Sequence, residues 1–155
     1  MRPQDTRLKD PCAAFLERLR RAVARWPSQV NPQELQVLIK KAELVPADKR
    51  FHVLAAPFIE SVTYGGFLGQ QYAGQILVHL KPPCGHQVDD VLCELLPNWN
   101  RSVEELPKYL AMVFGRNTLL NALDRLDLQQ SVDPVLTNTV RFWLRLPPAQ
   151  DPCGG

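Results

Sequence analysis

Prolines set the frame of this chain. There are 14 in 155 residues, and most fall between apolar segments rather than inside them. Proline lacks a backbone N–H and clashes with the preceding turn, so it suits the first turn of a helix or the loop after one. The spacing therefore predicts short helices with hard stops.

Asp10-Pro11 reads as an N-cap followed by proline at the first helical position. Cys12, Phe15, Leu16, Leu19, Ala22, Val23 and Trp26 then recur in steps of three and four, one stripe of an α-helix, and Pro27 ends it. Asn31-Pro32 repeats the start signal, with Leu35, Leu38, Ile39 and Ala42 as the stripe. A third stripe runs through Phe51, Leu54, Ala55, Phe58 and Val62, and Pro57 inside it predicts a kink or two short helices. Thr63 to Gly66 breaks the chain. Phe67 to Leu80 follows, apolar around much of its girth as a central helix would be. Its Gly69 and Gly74 make sense where a neighbouring segment packs closely.

Val88, Val91, Leu92, Leu95, Leu96 and Trp99 form the fifth stripe. Ser102 and Glu105 resemble a capping box for the sixth helix, which Gly115 would end. Asn117 is the expected cap of the seventh, with Leu119, Leu123 and Leu126 inward. Asp133-Pro134 opens the last. Two stretches, 75–80 and 140–146, also alternate and read as short strands in the alternative.

The expectation is an all-α domain of about eight short helices over residues 11–146, packed as stacked antiparallel hairpins like those of helical repeats. Residues 1–10 read as a disordered lead-in and 147–155 as a disordered tail. No sequence pattern recurs between the hairpins.

Net charge is +2, but its sign is uneven. Residues 1–50 hold 11 Lys/Arg against 6 Asp/Glu, and the remainder holds 7 against 10. Four cysteines, irregularly spaced, with no secretory signal at the start, place the chain in a reducing intracellular setting, cytoplasm or nucleus. Asp5, Asp10 and Glu17 argue against a mitochondrial presequence, although the opening is arginine-rich. No segment supplies the roughly 20 apolar residues of a membrane span.

The chemistry-bearing motifs are sparse. Cys84, His86 and Cys93 are too few and too irregular for a structural zinc, and no other cofactor is implied; Cys93 reads as a small core residue. Cys84 with His86 and Asp89 or Asp90 forms the one arrangement resembling a nucleophile, base and orienting acid, and an enzyme site near 84–93 is an alternative reading. The glycine-rich stretch Tyr64 to Gly69 lacks the lysine and hydroxyl of a phosphate loop.

Arg18, Arg20, Arg21 and Arg25 lie on the polar side of the first helix and are the candidate contacts for an anion or nucleic acid, with Glu17 and Arg21 at i,i+4 spacing. Trp26, Trp99 and Trp143 are the candidate partner-binding residues, Trp99 as the exposed anchor between two helices. Together these features favour a non-enzymatic interaction or scaffold subunit that holds a protein partner. A nucleic-acid or chromatin-associated protein is the alternative, and a second copy of the chain is an alternative partner.

Overall fold

A computed structural model describes residues 10–145. The expected lead-in, apart from Asp10, and the expected tail lie outside that range, as does Leu146. The described chain is all-α, with eight α-helices: α1 Pro11–Arg25, α2 Pro32–Leu44, α3 Ala47–Ile59, α4 Phe67–Leu80, α5 Val88–Leu95, α6 Glu105–Phe114, α7 Arg116–Gln129 and α8 Pro134–Arg145. A single 3-10 turn, Val62–Tyr64, links α3 to α4. Among the described residues there is no strand: 75–80 belongs to α4 and 140–145 to α8. No described helix is long and apolar enough to cross a membrane.

The proline-led starts form as the residue chemistry dictates. The Asp10 carboxylate accepts hydrogen bonds from the N–H groups of Cys12 and Ala13, and the Asn31 side-chain carbonyl from those of Gln33 and Glu34. Asp133 accepts from the Val135 N–H at 2.9 Å. Each cap satisfies donors that the first turn leaves without a helical partner.

Two other expected caps do not form. The Ser102 N–H donates to the Asn100 side chain in a turn, and α6 begins at Glu105 with no side-chain cap. Asn117 lies inside α7, because Gly115 alone joins α6 to α7. Pro57 does not split α3. It sits so close to the C-terminal end that only the final turn feels its missing N–H.

Helix α4 is the hub. It packs against α1, α2, α3 and α6, and it buries Leu68, Tyr72, Ala73, Ile76 and Leu77. The two glycines of α4 mark close approaches. A Cβ on Gly69 would lie 1.9 Å from the Tyr64 carbonyl oxygen, and one on Gly74 would lie 2.9 Å from the Glu105 Cβ.

Consecutive helices pack as α1 with α2, α3 with α4, α6 with α7 and α7 with α8. Helix α5 packs on α3 and α7, and α6 packs on α4, α7 and α8. The reason lies in the loop between α5 and α6. Gln70 of α4, fully buried, accepts the Asn100 N–H at 2.8 Å through its side-chain carbonyl. Its amide reaches the carbonyls of Asn98 at 2.9 Å and Pro57 at 3.3 Å. The loop is thereby fastened to α4, and α6 is delivered onto α4 rather than back along α5.

Candidate functional site

Arg18, Arg21 and Arg25 of α1 line one open pocket with Glu34, and Arg20 lies apart from it; the three are not equally free. Arg18 turns toward α2, where its guanidinium donates to both oxygens of Glu34 at 3.0 and 3.1 Å. Glu34 is only 7% exposed, and it stands in the first turn of α2 because Asn31 caps that turn. A buried carboxylate needs such a partner, so Arg18 is occupied structurally. Arg20, Arg21 and Arg25 are exposed. None of these three makes an ion pair with another described residue, and the expected Glu17–Arg21 pair does not form. The Arg25 guanidinium lies over the Trp26 ring, 5.5 Å from its centroid.

Next to these arginines α1 meets the turn that precedes α4. Between them lies an open groove of about 970 Å³. Leu16 and Val23 of α1 and Tyr64 of the turn line it, with Arg20 and Arg21 among the residues on the helix side. Val62 stands at its edge, 95% exposed. It falls on the apolar stripe expected for the third helix, but the chain leaves the helix at Glu60 and carries Val62 outward.

The local chemistry explains the close seat of the turn on α1. Gly65 has φ +80°, and a Cβ there would come within 2.9 Å of Val23. Only glycine combines that backbone conformation with that approach. Burial raises the Tyr64 hydroxyl pKa, with Glu60 adding to the effect and Arg20 opposing it.

The tryptophans separate into three environments. Trp99, expected as the exposed anchor, is 4% exposed, and its indole donates to the Val103 carbonyl at 3.0 Å. It is a core residue, because the loop folds back over it. Trp143 is half-buried; its indole donates to the Arg101 carbonyl at 2.9 Å and its ring meets exposed Phe142 edge to face. Trp26, at 41% exposure beneath Arg25, is the one of the three with its ring substantially in solvent.

Around Cys84 the surroundings disfavour the thiolate. Burial pushes the Cys84 thiol up and Glu94 adds to it, against the His86 backbone N–H, which favours the thiolate. A raised pKa leaves little thiolate at neutral pH. The His86 ring faces Phe51 at 6.3 Å. Asp89 is engaged by Arg125 at 2.7 and 3.1 Å, and the Arg125 hydrogen bonds hold its carboxyl below the usual range. Cys93, expected in the core, is exposed on α5. Its thiol is likewise pushed up, by partial burial and then by Asp89 and Asp90. Among the described residues no three His, Cys, Asp or Glu side chains converge as metal ligands do.

Sequence reasoning singled out the arginines but not the surface beside them. Val62, Tyr64 and Gly65 are some 40 residues from α1 in sequence, and the one local signal was the Tyr64-Gly65-Gly66 break. Comparison with known protein families, curated proteins and solved structures finds no match to this chain.

Proposed function

We propose that this chain is a non-enzymatic protein-binding subunit that holds a partner in the groove between α1 and the Val62–Gly65 turn. The observation that carries the reading is the composition of that groove. Half-buried Leu16 and Val23 offer an apolar floor backed by buried Tyr64, Val62 adds a solvent-exposed aliphatic side chain at the edge, and Arg20 and Arg21 stand beside it without ion-pair partners among the described residues. Protein interfaces combine a central apolar patch with a charged rim in this way, and arginine is enriched in them. A scaffold role in an intracellular complex accords with Cys12, Cys84 and Cys93, which form no disulfide among the described residues.

The test is comparative purification of the full chain and two surface variants from native cells. Val62→Asp places a charge at the groove edge. Leu128→Asp does the same on α7, where Leu128 is 86% exposed. The reading expects a stoichiometric polypeptide to accompany the native chain and the Leu128 variant and to be lost from the Val62 variant. A partner retained by both variants, or a solitary chain throughout, contradicts it.

A further inference from the structure

We infer that the partner segment is an acidic amphipathic helix, whose apolar side chains enter the α1 groove and whose carboxylates pair with Arg20 and Arg21. The inference rests on the docking reading above and adds the chemistry of the occupant.

Charge selects the sign. Arg20, Arg21 and Arg25 point to solvent without ion-pair partners among the described residues, and Glu17 is the only acid within α1. Residues 1–9 of the same chain carry Arg2, Arg7 and Lys9 against Asp5 alone, so by charge they do not complement the rim. A carboxylate-bearing segment from another protein complements it.

The floor selects a peptide over a polyphosphate. Half-buried Leu16 and Val23 and exposed Val62 gain by burial against apolar side chains, which a sugar–phosphate backbone does not supply. Arg18, the arginine that would extend a phosphate-binding row, is held by Glu34.

A helix fits the length of the groove. The groove follows α1 from Ala13 to Ala24, about 16 Å at 1.5 Å per residue. Three turns of a partner helix span that distance, placing apolar residues on the floor at three- and four-residue spacing with acids flanking them.

The probe is a displayed library of random peptides about four helical turns long, selected against the full chain and against the chain carrying Arg20→Glu and Arg21→Glu. Both arginines are exposed, and circular dichroism checks that the variant remains folded. The expected result is that peptides recovered on the native chain are enriched in Asp and Glu over the starting library, with apolar residues at helical spacing. These peptides should bind the charge-reversed chain about tenfold more weakly or worse, and Val62→Asp should weaken them too.

Recovered peptides that compete at the groove but show no acidic enrichment overturn this inference and leave the docking reading standing. No enriched peptide, together with no partner lost on Val62→Asp in cells, sinks both. Salt-sensitive retention of single-stranded oligo-dT that disappears on arginine reversal overturns it in favour of nucleic acid. A concentration-dependent dimer dispersed by Val62→Asp overturns it in favour of a second copy.

Discussion

Replacing Arg18 with alanine separates a structural arginine from its exposed neighbours. Arg18 donates two hydrogen bonds to Glu34, and the side chains retain 29% and 9% of their exposure. An exposed ion pair contributes less than about 1 kcal/mol, while breaking a fully buried one costs about 3–5 kcal/mol. This pair sits between those limits. Arg18→Ala leaves a mostly buried carboxylate that only water entering along the Arg18 side can solvate, so the expected loss is about 2 kcal/mol. In a domain of this size that is a fall of about 4–8 °C in Tm. Arg20→Ala and Arg21→Ala, which break no described ion pair, should stay within about 0.5 kcal/mol of the native chain. Urea unfolding with Glu34→Gln and the double variant completes a cycle. The double variant should be more stable than the sum of the single losses by about 1 kcal/mol or more. An Arg18→Ala protein as stable as the native chain, or strict additivity with Glu34→Gln, refutes the structural assignment and returns Arg18 to the exposed basic face.

Three further perturbations follow from other contacts. Gln70→Leu strips the buried amide that fastens Asn98 and Asn100 to α4, so the urea midpoint should fall by the equivalent of about 2–4 kcal/mol; an unchanged midpoint means the loop is held otherwise. Burial opposes ionisation of Asp127, but the Thr137 hydroxyl and the Arg141 guanidinium outweigh it and leave its folded pKa depressed. Its stabilising contribution is therefore present above the unfolded carboxylate value of about 3.9 and disappears as pH falls through the lower folded value. Asp127→Asn should flatten that acid limb of stability measured by urea titration from neutral pH downward, and an identical limb in the variant contradicts the pairing. In thiol labelling mapped by mass spectrometry, exposed Cys93 should react ahead of half-buried Cys84, and neither faster than a simple thiol at neutral pH, since both are raised. A fast Cys84 favours the enzyme reading.

The helices were legible because their signals are local. Asp10-Pro11, Asn31-Pro32 and Asp133-Pro134 each combine a side-chain acceptor with a proline at the first helical position, and each does start a helix. The apolar girth of Phe67 to Leu80 and its glycines announced a central helix with close neighbours, and α4 is that helix. What escaped was set by partners far along the chain. Trp99 lies in a stretch of proline and asparagine that reads as exposed, yet Gln70, some 30 residues earlier, pulls the loop inward and Val103 takes the indole hydrogen. Arg18 has the same helical spacing as Arg21 and Arg25, and only the α1–α2 packing, sixteen residues on, brings Glu34 to it. Val62 continued an apolar stripe by spacing alone, but the helix stops before reaching it.

The most direct measurement on the α1 groove is site-specific photo-crosslinking in native cells, with a photoreactive side chain at position 62 and, as a control, at position 128. Both sites are highly exposed, so the probes are tolerated equally. A docked partner gives one discrete heavier adduct from position 62 and none from position 128. No adduct at 62, or the same adduct from both positions, contradicts docking at this groove.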